Sequence, residues 1–525
     1  MKQKINELVS QMNNTESRQH FLALVAIIGI GFILRFYAYF IGEGYHFFSI
    51  NDEVSAFRVA MSFLAGEERA MYLGQPNFSD GHAPGPAWSL FWAAAYKLGL
   101  DSVDYALFVV AIFNTVLIYF VYRLARQFLL PSYALLATFL FATSPWPVYF
   151  AVGLWNPMPI AFLGVLLFLS LWRVTQVDNS RAIFWVCLVT ALIPHFHMIG
   201  IFYAPAILLV LYLSSTRINR GVFIAGIVAG CAVYLPYLIG ELQHDWENTR
   251  LVLAGSKEWS FSTLKIITAP MTVLSNHPGR WPGDEFHEFI AFGDKWFGSY
   301  YLLILVNLIS MVMAATFIFW VLNRFVKQAR LFHLKETFKQ HPKVTFVVIM
   351  LVLPLLLFTL TGQNYSSRYT ILILPLLFLL PAWYLQEADG NKFKDIIKKL
   401  MPAMILMNFY VLTVFYIHQN AEINHGSFLV TSFKKLEVIR THLKTHAGTD
   451  VYIKIDAREY ITDTTDKIEN AGIALTDYVD IYEQYLAHQQ RPDKEVVYKI
   501  MPETDSVDES AIAYRGNNTL IVRQN

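Results

Sequence analysis

The chain has 525 residues, 55% hydrophobic, 15% aromatic and only 15% charged, with a mean hydropathy of +0.40. That balance excludes a string of soluble domains and describes an integral membrane protein, since about 20 apolar residues cross the hydrocarbon core. A formal net charge of +1 gives no reason to expect a nucleic-acid partner, and two cysteines inside apolar runs, Cys187 and Cys231, make no disulfide framework.

Twenty mostly polar residues precede the first apolar run, which contains Arg35 and is followed by no small-residue cleavage site. It is therefore expected to be a span rather than a cleaved signal. Apolar runs read against their basic flanks give eleven expected spans: 21–41, 104–124, 132–152, 157–174, 182–197, 198–214, 221–240, 299–323, 343–361, 369–387 and 400–419. With the N-terminus inside, each inner segment is basic, from Lys2, Lys4 and Arg18 through Arg123, Arg126, Arg173, Arg181, Arg217 and Arg220 to the loops around Arg324–Lys339 and Lys392–Lys399. Three pieces then face outward: a first loop (42–103), a second loop (241–298) and a tail (420–525).

The expected fold is a polytopic α-helical membrane module over 1–419 followed by a small soluble α/β domain over 420–525. The tail carries helical patterning in "FKKLEVIRTHLKTH" and strand-like "VYIKID", "EVVYKI" and "TLIVRQ". Residues 84–100 are apolar but short and end in Asp101. They read as a helix at the interface, with Trp88 and Trp92 at headgroup depth.

Within the first loop, Val54, Phe57, Met61 and Leu64 recur at three- and four-residue steps and predict an amphipathic helix over 52–66. Asp52 and Glu53 stand in its first turn, where acids favour the helix dipole and where Ser49 and Asn51 compete as caps. The other reading is chemical: a carboxylate at the membrane surface within hydrogen-bond reach can deprotonate a hydroxyl nucleophile, with its neighbour orienting it.

The ordered set of Arg35 late in the first span, Asp52-Glu53, and the Pro-rich turn "DGHAPGPAW" before a short helix resembles the C-type membrane glycosyltransferases. Within them it is similar to the family 39 group, which includes protein O-mannosyltransferases and the lipid A aminoarabinose transferase. The resemblance covers roughly 20–420. It implies an inverting transfer of a sugar from a polyprenyl-phosphate donor to an acceptor hydroxyl at the outer face. Asp52 would be the general base with Glu53 beside it, and Arg368 with Tyr369, in "SSRYTILILPLL", would clamp the lipid phosphate. His82 would lie near that phosphate with Asp80 as a weaker companion, and Arg35 would be structural or behind the site.

Asn156 stands where relatives often carry an acid, so it departs from the pattern. It is a poor ligand for a hard cation, so no metal site is assigned and a divalent cation is left open as the only cofactor. Asn156 would instead bond a sugar hydroxyl and Trp155 stack on the ring.

His195 and His197 diverge on a helix and read first as satisfied core. The second loop holds another Asp-Glu pair, Asp284-Glu285, near Arg280, Trp281 and His287. The sequons at Asn77 and Asn364 beside the expected site favour a bacterial cytoplasmic membrane with the chemistry outside. Expected partners are the lipid-linked donor, membrane lipids, and a lipid, glycan or protein acceptor. The rivals are a transporter or flippase of lipid-linked sugar, which should show paired broken helices, and an O-antigen ligase or polymerase with a lipid-diphosphate donor.

Overall fold

The structure is a computed structural model. It describes residues 15–40, 50–76, 81–100, 103–149, 151, 159–176, 181–254, 264–275, 300–329, 333–360, 367–387, 392–424, 433–447, 451–456, 494–502, 511–516 and 519–524.

Six described helical segments are long and apolar enough to cross a membrane: Glu16–Phe36, Tyr105–Phe128, Ile304–Gln328, Pro342–Leu360, Thr370–Glu387 and Phe393–Thr413. A seventh forms if Arg220–Ala232 and Leu235–Gln243, bent by 42° at their junction, count as one. Among the described residues the long spans therefore number six or seven, and the expected count of eleven is not established. The remaining apolar runs form shorter helices, Pro131–Thr143, Ile160–Gln176, Ala182–Phe196 and Met198–Ser214.

The reason is local. The run expected over 132–152 breaks where Ser144 turns extended ahead of Pro145. The runs expected over 182–197 and 198–214 do part at His197, whose extended backbone (φ −162°) separates two helical pieces.

The helices pack through large apolar side chains inside and leave Leu22, Ile33, Leu208, Val312 and Leu406 exposed on the outside, as a lipid-facing bundle must. Small residues bring some pairs close. Gly226 and Gly230, one turn apart, press on Phe184, Cys187 and Ala191 of the Ala182–Phe196 helix, and a Cβ at Gly226 would come within 2.9 Å of the Phe184 Cα.

Two cations satisfy carbonyls at helix ends. Lys343 Nζ donates to the Phe128 carbonyl at 2.8 Å, where the Val103–Phe128 helix ends. Arg35 is turned into the bundle, 1% exposed, and donates to the carbonyls of Gly31 and Ala142 at 3.0 Å each. It pins the first helix to the C-terminal turn of Pro131–Thr143, so it is structural and does not snorkel.

After the first helix comes Ile50–Ala65, then a two-stranded antiparallel ribbon, β1 (Leu73–Pro76) with β2 (His82–Pro84), and then the helix Ala87–Leu98. This short helix is not among the spans. Trp88 and Trp92, however, are 0% and 2% exposed and meet edge to face at 5.2 Å, with Trp88 also against Phe196. They are core residues of the bundle rather than headgroup anchors, and Leu90 and Leu98 are the exposed side of this helix.

In the tail, the helix Phe433–Ala447 covers a four-stranded sheet in the order β3-β4-β6-β5, made of Val451–Asp456, Lys494–Pro502, Thr519–Arg523 and Ile512–Gly516. β3 runs parallel to β4, and the other pairings are antiparallel. Ile439, Leu443, Ile453, Tyr498 and Ile521 form its buried centre.

Candidate functional site

The amphipathic pattern folds as expected. Ile50–Ala65 is a helix with Phe57 and Met61 buried, and it packs on β1 and on Ala87–Leu98. Asp52 and Glu53 fall in its first turn. Their side chains lie outside the described residues, as do Asp80, Trp155, Asn156 and the 280–287 cluster.

Arg368 and Tyr369 open a tight helical segment, Ser367–Ile373, of which the backbone at these two positions is described. That segment runs against Ile160–Gln176 at Gly164, where the Leu372 carbonyl fills the space a side chain would need. Ile160–Gln176 packs in turn on Ala182–Phe196, and the latter touches both ribbon strands. A continuous set of contacts therefore links the element bearing Arg368 to the ribbon bearing His82.

His82 is the candidate whose surroundings are best defined. Its backbone N–H donates to Asn248 Oδ1 at 2.6 Å, and Asn248 Nδ2 donates back to the His82 carbonyl at 3.1 Å. The amide orientation is fixed by this pairing, because the flipped rotamer would set oxygen against carbonyl. Asn248 Nδ2 also donates to the Tyr237 hydroxyl at 3.2 Å, which bonds Thr249 Oγ1 at 2.9 Å.

Beneath them lies Glu241, fully buried. Its Oε1 accepts from the Asn248 N–H at 3.2 Å and its Oε2 from the Thr249 N–H at 2.8 Å. These are orphan donors of the first turn of Glu247–Ala254, so a glutamate from the preceding helix caps the next one. The turn between the two helices places Asp245 and Trp246 at φ +51° and +59°, a left-handed bend that brings Glu241 back over the new N-terminus.

The same region meets the first loop elsewhere. Arg69 pairs with Glu247 at 3.0 Å, Glu68 faces His244 at 3.3 Å, and the Tyr72 ring stacks on His244 at 5.4 Å over Gly240. The Arg69–Glu247 ion pair is exposed and adds little stability; the value of both contacts is registration.

Burial, then the Arg69 guanidinium, holds the His82 imidazole below the ordinary histidine range, against the Asn248 hydrogen bond and the Glu247 charge, which raise it. At neutral pH His82 is thus a neutral imidazole, able to donate one hydrogen bond to an anion rather than act as a fixed cation. Burial also pushes the nearby Tyr72 phenol up.

On the other side of the ribbon, Gly85 (φ +95°) lies flat against the His195 ring, leaving no room for a Cβ. His195 is 1% exposed and edge-on to Tyr234 at 4.5 Å. It is buried as the sequence reading had it, but not satisfied, since neither ring nitrogen has a partner among the described residues. His197 does something different, accepting from the Ile199 N–H at 3.1 Å through Nδ1. Among the described residues no three His, Cys, Asp or Glu side chains form a metal site.

Sequence reasoning missed Glu241, Asn248 and Tyr237. The available signal was "GELQHDWENTR", a polar, charged run directly after an apolar one.

No protein-family model matches the chain, and no curated protein sequence matches it. Solved structures do. ArnT from Cupriavidus metallidurans in the apo state aligns over 97% of this chain and 98% of that one, at 10% identity and a TM-score of 0.52. ArnT bound to undecaprenyl phosphate aligns over 96% and 97%, at 9% identity and a TM-score of 0.51. The Archaeoglobus fulgidus oligosaccharyltransferase in the apo form covers 92% of this chain and 69% of its own, at 12% identity and a TM-score of 0.48, too loose to argue from.

At such identities the likeness is one of fold. The chain shares its fold with ArnT from Cupriavidus metallidurans along nearly the whole of both chains.

Proposed function

We propose that this protein is an inverting glycosyltransferase that moves a sugar from a polyprenyl-phosphate donor to an acceptor hydroxyl at the outer face of a bacterial cytoplasmic membrane. The observation that carries the reading is the fold match to ArnT along nearly the whole of both chains, one of the matched structures holding undecaprenyl phosphate. The placement of Asp52-Glu53 in the first turn of a helix that packs against the His82 ribbon agrees with it.

In this reading Asp52 takes the proton of the acceptor hydroxyl while Glu53 orients it. The acceptor oxygen attacks the anomeric carbon as the bond to the phosphate oxygen breaks, and the electron pair leaves with the polyprenyl phosphate. Arg368, Tyr369 and the neutral imidazole of His82 meet the charge that gathers on that leaving group. Trp155 and Asn156 hold the sugar and Asp80 orders the His82 loop. The acceptor is a lipid, glycan or protein hydroxyl, and the tail over 420–525, whose helix Phe433–Ala447 also touches Val103–Phe128, is assigned to the acceptor side.

The test is donor turnover by the purified protein with polyprenyl-phosphate sugars, with and without a chelator. Loss in Asp52→Asn with donor binding kept supports the reading. Turnover that survives in Asp52→Asn removes Asp52 from the mechanism, and chelator-sensitive turnover would add a divalent cation to it.

A further inference from the structure

Resting on the reading of His82 as a group that meets the donor phosphate, we propose that Asn248, held in place by Glu241, is a positioning residue that fixes His82 for that contact. The ribbon cannot do this alone. β2 has three residues, and its pairing with β1 slips between Leu73 and Pro76, so His82 sits at the irregular end of a very short ladder. The Asn248 side chain supplies what a further strand would: an acceptor for the His82 N–H and a donor for the His82 carbonyl.

A side-chain amide used this way must itself be rigid. Asn248 is 4% exposed, and its second amide hydrogen is taken by Tyr237. Its backbone is anchored by the Glu241 carboxylate. Gly81 closes the contact, since a Cβ there would lie 3.3 Å from Asn248 Oδ1 and closer still to Val252.

Three residues after His82, Gly85 is held against the His195 ring, which in turn meets Tyr234 edge-on. The strand is thus gripped at both ends, with Ala83 buried and the His82 side chain on the half-exposed face. Preorganisation of a neutral donor matters because an imidazole contributes one directed hydrogen bond, which a loose loop would misaim.

The experiment is a double-mutant cycle on the full-length protein in lipid nanodiscs, reading undecaprenyl phosphate binding. His82→Ala and Asn248→Ala are each expected to weaken binding about tenfold, and the double variant no more than either alone. Diethyl pyrocarbonate labelling of His82, followed by peptide mass spectrometry, should quicken in Asn248→Ala. Asn248→Asp, which still accepts but cannot donate, should fall between.

Additive losses in the double variant, or unchanged labelling, overturn the positioning role while leaving His82 at the phosphate. A His82→Ala protein that binds normally overturns the reading of His82 and this inference with it. Melting curves on every variant separate a protein that fails to fold from one that folds without the brace.

Discussion

Replacing Glu241 with alanine removes both acceptors for the first-turn N–H groups of Asn248 and Thr249 in a place water does not reach. A lost helix cap costs about 0.5–2 kcal/mol, and each hydrogen bond to a charged group about 1.5–3 kcal/mol. Relief of the buried carboxylate's own desolvation offsets part of this, so a net of about 2 kcal/mol is expected for local opening of the segment. That is about a thirtyfold rise in amide exchange where opening limits it.

Hydrogen exchange by mass spectrometry should show the change in peptides covering 244–254 and, through Asn248, in those covering 81–85. Glu241→Gln keeps an acceptor and should lose about half as much. Exchange at wild-type rates in both regions of Glu241→Ala would refute the idea that this carboxylate organises the His82 brace.

Two further outcomes follow from the same geometry. His82 has its folded pKa below the unfolded value, so the unfolded ribbon binds the proton more readily. Local stability should be level above about pH 6.5 and fall as pH drops from there through the folded pKa. Exchange of the 81–85 amides, corrected for intrinsic rate, should therefore rise between pH 7 and 5 and lose most of that rise in His82→Gln. Gly85→Ala must force a left-handed backbone and move the His195 ring at once, so undecaprenyl phosphate binding should weaken about tenfold or more while global melting shifts little; unchanged binding would detach Gly85 from the site.

The helical bundle was legible because apolar runs report burial in lipid or core directly, and the described residues of the expected spans are mostly helical. What such runs do not report is continuity. Ser144-Pro145 and the bend after Ala232 divide helices within runs that look uniform in hydropathy, whereas the break at His197 falls at the expected boundary between 182–197 and 198–214. Trp88 and Trp92 were misjudged for a related reason: indole suits a headgroup and a core equally, and only the neighbouring Phe196 decides.

The Asp52 helix was readable from periodicity because its order is local. Asn248 was not. Its role depends on pairing with a backbone 166 positions away, and on a carboxylate whose cap is set by a left-handed turn that no short motif announces.

The central claim is bond chemistry at the Asp-Glu pair. Purified protein and its Asp52→Asn variant should be given a panel of polyprenyl-phosphate monosaccharides with candidate acceptors, and donor cleavage and donor binding both measured. Cleavage is expected in the wild type and none in the variant, with binding within about threefold of wild type, since a base contributes to the transition state more than to the ground state. Saturable binding with no cleavage in either protein would contradict that claim and make the chain a carrier of lipid-linked sugar instead.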